Sequence, residues 1–326
     1  MRIRVPNYFT DFKCIADKCT DSCCVGWEID IDERTREKYA ALGTELGREI
    51  CEKTSHGCFP LAKNGCCAFL DEKGLCRIIS SLGEGYLCDI CREHPRYYGV
   101  GACGIEGGLG LGCEEAARII LSLDKLPEIV ETERDIPYFD EDEFADVSAF
   151  FRERLFDGIF TARVDELVGI YKAYAIAADD AAFDACTSGS PVQIPKITVA
   201  AADEEDIGAR LAEMLELLGE CEPLTSDWLP LLNKVMTVEV TSILNKEQAF
   251  RPLLYYFTHR YVREGVADMS LGARVLFALG SALAAVALSE VIDCEESDVR
   301  AAVLYSKNIE YSTDNVDIIL DKISVL

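Results

Sequence analysis

The chain has 326 residues, enough for one large or two ordinary domains, and 49% of them are hydrophobic, which excludes a wholly disordered protein. Its formal charge of −26 at pH 7 excludes nucleic acid as a partner, because phosphates would be repelled. The charge is uneven: residues 1–113 hold 14 basic and 17 acidic side chains, and residues 114–326 hold 18 and 41. Such a surface keeps a protein soluble and attracts a lysine-bearing partner.

The 16 cysteines are distributed as unevenly as the charge, since 13 of them fall in residues 1–113. The N-terminal sequence MRIRVPNYFTDFK has no apolar leader, and no run approaches the roughly 18 apolar residues that span a membrane. We therefore expect a cytoplasmic protein without a membrane segment. Disulfides need an oxidising compartment, so we expect the cysteines to bind a metal ion or a cluster.

The predicted elements divide the chain into two parts. Residues 1–113 are rich in glycines and turns, with one predicted helix over residues 32–52 and Asp32 as its N-cap. The later helices are predicted over residues 113–123, 142–184 (one or two), 207–221, 230–245, 249–265, 269–292 and 296–326, with a loop over 188–206. The predicted fold is mainly α: a small irregular cysteine-rich metal-binding module (residues 1–125) followed by an α-helical domain (residues 126–326).

The first motif, C-x4-C-x3-C-C, comprises Cys14, Cys19, Cys23 and Cys24. Thiolates that converge from short loops bind zinc or iron tetrahedrally. Adjacent side chains point in different directions, so Cys23 and Cys24 rarely both bind one ion. Either one of them faces away, or the pair serves two metals or two corners of a cluster.

A second set of cysteines can complete such a site, and its members are Cys66, Cys67, Cys76, Cys88, Cys91 and Cys113. CDIC (residues 88–91) has the C-x-x-C spacing of redox proteins, but the βαβ context of those proteins is missing, so ligation or a spare thiol is favoured. With three histidines in the chain, a histidine-rich zinc site is disfavoured, and His94 is expected to be structural or an outer neighbour of the metal.

The stretch EGGLGLG (residues 106–112) has the E-x-G-x-G-x-G form of a nucleotide-binding loop. The preceding YYGVGACGI (residues 97–105) reads as a poor buried strand, and no alternating α/β pattern follows. We therefore expect an extended segment that leads into the helix after Cys113, rather than a cofactor cradle.

The opening block YFTDFKCIADKCTDSCCVGWEIDIDERTREKY resembles the start of the flagellin lysine-N-methylase family. The blocks CAFLDEKGLCRI, LGEGYLCDICREHPR, GLGLGCEEAARIIL, LLYYFTHRY and LYSKNIEYSTDN are also similar to that family, so the resemblance covers most of the chain. Ala68, Glu114 and His94 stand where the family pattern has proline, proline and tyrosine.

The resemblance implies a bacterial cytoplasmic enzyme that methylates the ε-amine of lysine on flagellin or another lysine-bearing protein, with S-adenosylmethionine as donor. It implies a [4Fe-4S] cluster, with zinc as the alternative. The implied metal ligands are Cys14, Cys19, Cys23, Cys24, Cys67, Cys76, Cys91 and Cys113. The cysteines outside the family positions are Cys51, Cys58, Cys66, Cys88 and Cys103.

The sequence names no catalytic base. The polar and aromatic residues of the C-terminal blocks are expected to serve packing before catalysis, and they are Tyr255, Tyr256, His259, Arg260 and Tyr305. Two other functions stay open: a non-catalytic zinc- or iron-chelating protein, and a redox protein that uses Cys88 and Cys91.

Overall fold

A computed structural model of the chain describes residues 1–101, 104–136, 149–188, 197, 199–264 and 270–323. Within these residues the protein is mainly helical, as predicted. The helices are α1 (Glu33–Ala40), α2 (Glu45–Lys53), α3 (Arg77–Leu82), α4 (Asp89–Glu93), α5 (Glu114–Leu121), α6 (Ala149–Phe156), α7 (Val164–Ser188), α8 (Glu204–Glu220), α9 (Trp228–Val235), α10 (Val240–Leu244), α11 (Glu247–Tyr261), α12 (Leu271–Val291), α13 (Ser297–Ile309) and α14 (Thr313–Lys322). The strands are β1 (Arg2–Pro6), β2 (Ile29–Asp30), β3 (Cys58–Phe59), β4 (Arg96–Gly101), β5 (Gly104–Leu109) and β6 (Ile129–Glu133).

Four of the strands form a mixed sheet in the order β4-β5-β1-β6. β1 runs parallel to β5, with Ile3 opposite Ile105, and antiparallel to β6, with Ile3 opposite Thr132. β4 and β5 are antiparallel, with Arg96 opposite Leu109. The expectation that residues 97–105 form a poor strand is therefore wrong, since this stretch supplies most of β4 and the start of β5.

Glycines in these strands leave room for the protein's own tyrosines. A Cβ at Gly108 would lie 2.4 Å from the hydroxyl of Tyr97, and a Cβ at Gly107 would lie 2.9 Å from Cδ1 of Tyr98. Further along, a Cβ at Gly112 would lie 2.6 Å from the Tyr311 ring. The glycine-rich stretch is thus extended and leads into α5, as expected, and the space beside these three glycines is filled by aromatic side chains.

The segment between β1 and β4 forms an insertion with its own small core. This core is made of Ile29, Ile31, Tyr39, Ile50, Phe59, Phe69, Ile78 and Cys88, with Cys67, Cys76 and Cys91 packed against it. The large core lies between the sheet and the later helices, and it includes Ile3 and Val5 from β1. The predicted domain boundary at residue 125 stays a prediction.

The helix predicted over residues 32–52 is interrupted. Asp32 is the N-cap of α1, as predicted, since its side chain accepts from the Thr35 N–H at 2.9 Å. The chain leaves the helix at Leu42 and Gly43, and Thr44 caps α2 by accepting from the Gly47 N–H at 3.1 Å. A poor helix former followed by a good N-cap explains the break.

The later helices largely follow the sequence prediction. α5 is confirmed, and residues 142–184 contain α6 and α7. The segments 230–245 and 296–326 each contain two helices, α9 with α10 and α13 with α14. In the predicted loop 188–206, residues 189–196 and 198 lie outside the described residues, and the last residues of the loop already belong to α8.

Helix α12 is the centre of the large core. Its 21 residues are long and apolar enough to cross a membrane by length and composition, with a mean hydropathy of 1.9, so the expectation that no run approaches this length is wrong. However, 94% of its most apolar 18-residue window is buried inside the fold. A helix that is apolar on all sides is typical of a protein core.

Helices α7 and α12 pack closely at Gly272, which gives a first prediction. A Cβ at Gly272 would lie 2.6 Å from the backbone oxygen of Ala175. The Gly272 N–H also donates to Asp179 at 2.8 Å, so the helices cannot easily move apart. We expect Gly272→Ala to lower the free energy of unfolding by about 1–3 kcal/mol, as overpacking does.

The matched control is Gly219→Ala in α8, where nothing lies within 4 Å of the added Cβ. That substitution should raise the stability by about 0.5–1 kcal/mol, because alanine loses less entropy in a helix. Urea unfolding of both variants measures the difference. Equal stabilities would contradict the close approach of the two helices.

Candidate functional site

The first motif lies in a loop, here called the cysteine loop (residues 14–27), that is held by backbone hydrogen bonds. Trp27 Nε1 donates to the carbonyl of Cys23 at 2.9 Å, and the N–H of Cys67 donates to the carbonyl of Cys24 at 2.8 Å. The Trp27 ring also packs on Tyr311, with 5.6 Å between the ring centroids. The loop, which is itself part of the insertion, therefore lies between the rest of the insertion and Tyr311 near the C-terminal helices.

Glu114, the first residue of α5, fixes the middle of the cysteine loop. Its Oε2 accepts from the Thr20 N–H at 2.7 Å, from the Thr20 hydroxyl at 2.9 Å and from the Asp21 N–H at 3.1 Å. Arg118 donates to the other oxygen at 2.8 Å. Burial alone would raise the pKa of Glu114, but the hydrogen bonds from Arg118 and Thr20 lower that pKa to about 2. The carboxylate is therefore ionised at neutral pH.

A second carboxylate, Asp21, connects the cysteine loop to α13. Lys307 Nζ lies 2.6 Å from Asp21 Oδ1 and 3.2 Å from the carbonyl of Ser22, and Arg300 pairs with the other oxygen of Asp21. Lys307 is 7% exposed, so this pair is well shielded from water. Residues from both ends of the chain thus determine where the cysteines lie.

Four of the eight predicted metal ligands form one neighbourhood, here called the Cys113 group: Cys14, Cys19, Cys23 and Cys113. Burial, with smaller contributions from the nearby thiols of Cys23 and Cys14, raises the pKa of Cys113 to about 11. Burial likewise raises the pKa of Cys19 to about 12, with contributions from Glu114 and Cys113. The Cys19 thiol lies 3.5 Å from Glu114, next to Cys113 in the chain.

The other four form the Cys91 group: Cys24, Cys67, Cys76 and Cys91. A hydrogen bond with Cys88 raises the pKa of Cys91, as do burial and the nearby Cys24 and Cys76. Burial raises the pKa of Cys67, again with Cys76 nearby. Cys67, Cys76 and Cys91 all pack against the small core.

The adjacent pair Cys23–Cys24 lies between the two groups. Cys23 is a neighbour of Cys113, and Cys24 is a neighbour of Cys91. The two thiols also hydrogen-bond to each other, which is the largest cause of the raised pKa of Cys23. The two adjacent thiols therefore have different cysteine neighbours.

Among the described residues, however, no group of three or more His, Cys, Asp or Glu side chains is arranged so that it could hold a metal ion. The chemistry of the donors nevertheless fits a metal or cluster, because the fourteen described cysteines are all free thiols and eight of them lie in two groups. The thiols would have to rotate towards a bound ion and lose their protons. The eight-cysteine metal site stays a prediction.

The cysteines outside the predicted ligand set have varied positions. Cys51 is exposed, Cys58 and Cys66 are half-buried, and Cys103 lies outside the described residues. Cys88 is fully buried at the start of α4, where the hydrogen bond from Cys91 lowers its pKa against the effect of burial. The Cys88–Cys91 pair therefore has a thiol with a lowered pKa at the start of a helix. The helix does not follow a parallel strand, as it would in the βαβ context of redox proteins.

The C-terminal polar residues are buried and bonded inside the fold. Tyr97 and His259 Nδ1 are 2.9 Å apart, Tyr256 donates to Glu310 at 2.8 Å, and Tyr305 donates to Ser281 at 2.7 Å. Tyr255, Tyr256, His259 and Tyr305 are each less than 5% exposed. Packing is therefore the role that their surroundings support.

A cleft of about 300 Å³ lies where the insertion meets the sheet, and sequence reasoning missed it. Its lining residues come from α4, from the start of β4 and from two separate segments: Asp89, Ile90, Glu93, His94, Arg96, Tyr97, Tyr98, Trp27 and Ile136. The signal in the sequence was the run EHPRYY (residues 93–98), which places acidic, basic and aromatic side chains together.

Comparison with known proteins finds three relatives that are each 33% identical to this chain over an alignment of 127 residues, which covers 36% of the chain. One is the flagellar biosynthetic protein FliU of Salmonella muenchen, of which the match covers 75%. The others are the lysine-N-methylases of Salmonella choleraesuis (strain SC-B67) and Salmonella typhimurium (strain LT2), of which the match covers 32%. No family model and no solved structure matches the chain.

The extent of the FliU match, together with the two lysine-N-methylases, places the chain in a family. It belongs to the flagellin lysine-N-methylase family. The match spans about a third of the length of the two relatives named as methylases, so their activity is not carried over by membership alone.

Glu114 gives a second prediction, because its removal would leave the N–H groups of Thr20 and Asp21 without an acceptor. We expect Glu114→Ala to cost about 1–3 kcal/mol of stability, as unsatisfied donors do. We also expect faster alkylation of Cys19, measured by mass spectrometry of the labelled peptide. The control is Glu115→Ala, since Glu115 bonds Arg118 on the same helix. Equal alkylation rates in both variants would disprove the role of Glu114.

Proposed function

We propose that the protein is an S-adenosylmethionine-dependent protein-lysine N-methyltransferase, with flagellin as substrate and an iron–sulfur cluster bound by its cysteines. The observation that carries the proposal is the match to relatives named lysine-N-methylase and flagellar biosynthetic protein. The cysteine groups support the cluster, and the reducing cytoplasm, where thiols stay free, is the compartment that we propose.

Methyl transfer to a lysine amine needs no covalent intermediate with the protein. A neutral lysine amine is a good nucleophile, so the protein must remove a proton from an ammonium with a pKa near ~10.4 and hold the amine in line with the methyl group. A carboxylate or tyrosine in the cleft can orient the amine or accept its proton. Glu93 and Tyr98 are the candidates, because their side chains line the cleft and hydrogen-bond to each other at 2.8 Å.

The residues that would hold a cluster are the four thiols of the Cys113 group and the four of the Cys91 group. With four thiolates for each centre, a bound cluster would serve as a structural core that holds the insertion together. The acidic surface of residues 114–326, with 18 basic and 41 acidic side chains, would attract a lysine-bearing partner.

Anaerobic purification followed by metal analysis tests the cluster. We expect a brown protein that absorbs near ~400 nm, with iron and sulfide in equal amounts. Cys67→Ser and Cys113→Ser should each lower the iron content, whereas Cys294→Ser should not, because Cys294 is exposed and outside both groups. A colourless protein with zinc would replace the cluster with a structural zinc site.

Incubation of the cluster-loaded protein with S-adenosylmethionine and flagellin tests the enzymatic activity. We expect methyl groups on lysine ε-amines, located by mass spectrometry of the flagellin peptides, and none when the donor is omitted. An intact cluster without methyl transfer would reject the methyltransferase. It would favour the chelating alternative if the donor also fails to bind.

The redox alternative rests on the hydrogen-bonded pair Cys88 and Cys91. It requires Cys88 for function, whereas the methyltransferase proposal does not count Cys88 as a ligand. Full methyl transfer by Cys88→Ser would therefore eliminate the redox role.

A further inference from the structure

The cleft has a wall from the insertion and a wall from the sheet. Ile90 and Glu93 come from α4, the helix that carries Cys91, and Arg96, Tyr97 and Tyr98 come from β4. Trp27 reaches the cleft from the cysteine loop. With a volume of about 300 Å³, the cleft is at the lower end of the range for small-molecule sites. It is also next to both cysteine groups.

Arg96 is the cationic side chain that lines this cleft. Among the described residues, no carboxylate forms an ion pair with it, and its buried Nε has no hydrogen-bond partner. The guanidinium is held in place by two aromatic rings, with its central carbon 5.5 Å from the centroid of Phe9 and 5.2 Å from that of Phe12. A positioned arginine without a counter-ion is suited to a carboxylate.

The neighbouring arginines differ from Arg96 because they are paired. Arg134 lies 2.9 Å from Glu93, and Arg34 and Arg92 lie 2.8 and 2.6 Å from Asp89. Together with the pair of Arg92 and Glu93, these contacts engage both oxygens of Glu93 and the Oδ1 of Asp89. Arg96 therefore has no strong internal competitor for an incoming anion.

His94 is a second polar side chain of the cleft that can bind an anion. Its Nε2 is buried and has no hydrogen-bond partner within the described part of the chain. Burial, together with Lys307 and Arg96, lowers the pKa of His94 to about 4, so the ring is neutral at pH 7. A neutral imidazole can donate one hydrogen bond to a carboxylate without adding charge.

The rest of the cleft suits the remaining parts of an amino acid derivative. Asp89 can offer its Oδ2 to an ammonium group, since Arg34 and Arg92 both pair with its Oδ1. The rings of Trp27, Tyr97 and Tyr98 also line the cleft, and aromatic rings attract cationic groups. The cleft thus combines a site for an anion, a site for an ammonium and an aromatic wall.

We propose that this cleft binds the α-amino acid end of a ligand, with its carboxylate on Arg96 and His94 and its ammonium at Asp89. The choice of ligand rests on the function proposed above: it is S-adenosylmethionine, whose sulfonium faces the aromatic rings. Arg96 is then a donor-binding residue.

Binding measured by calorimetry on the cluster-loaded protein tests the assignment. We expect Arg96→Met to weaken S-adenosylmethionine binding at least tenfold, which equals about 1.4 kcal/mol, and Arg96→Lys to restore part of it. The control is Arg36→Met, since Arg36 is exposed and pairs with Glu33 on α1. That variant should bind as the unchanged protein does.

A second arm needs no substitution and so remains valid if Arg96→Met fails to fold. Decarboxylated S-adenosylmethionine, which lacks the carboxylate, should bind the unchanged protein as weakly as Arg96→Met binds the full donor. Arg96→Met should not weaken the decarboxylated compound further, as expected when both changes remove one contact. Equal binding of the two compounds by the unchanged protein would overturn the proposal.

Free methionine, the third probe, separates this proposal from the methyltransferase. If S-adenosylmethionine does not bind but methionine binds in an Arg96-dependent way, the amino acid cleft stands and the methyltransferase falls. If S-adenosylmethionine binds and Arg96→Met leaves its affinity unchanged, the methyltransferase stands and the cleft assignment is overturned. If neither compound binds, the cleft assignment is also overturned.

Discussion

The position of the cysteine loop depends on one carboxylate, that of Glu114. Three donors from Thr20 and Asp21 converge on a single oxygen of this side chain, while Arg118 holds the other oxygen. A buried carboxylate with this many donors is a strong constraint, because each donor would be unsatisfied without it. Asp21 in turn meets Lys307 from α13. The geometry of the thiols is thus imposed by helices outside the insertion that contains most of them.

This arrangement brings three chemically different regions together. The two cysteine groups lie on either side of the adjacent pair Cys23–Cys24, and the cleft opens beside α4 and Trp27. The strongly acidic part of the chain is the helical one. The first third, which holds most of the thiols, is nearly neutral. The methyl transfer that we propose would need such parts, namely a donor site and an attraction for lysine.

The sequence predicts the helices well because their apolar periodicity is a local property. It misses the sheet, because β5 is rich in glycines whose partners, Tyr97 and Tyr98, lie on the facing strand β4. It also predicts one helix where Gly43 and Thr44 make two.

For the site, spacing and resemblance single out eight cysteines, yet only the tertiary structure divides them into fours. The role of Glu114 has no local signal, since its partners Thr20 and Asp21 are distant in sequence. The cleft is equally invisible, because an arginine is seen to be unpaired only when its surroundings are known.

The topology of the sheet connects metal binding by the thiols to the tendency of the protein to aggregate. β1 is an interior strand between β5 and β6, and the whole insertion lies in the connection between β1 and its parallel neighbour. Closing this long connection costs chain entropy. A metal or cluster that stabilises the insertion would reduce this cost. If the insertion loosens and β1 detaches, both β5 and β6 present open edges that can pair with other chains. Removal of the metal or cluster would then be visible as self-association of the protein, in addition to a loss of donor binding.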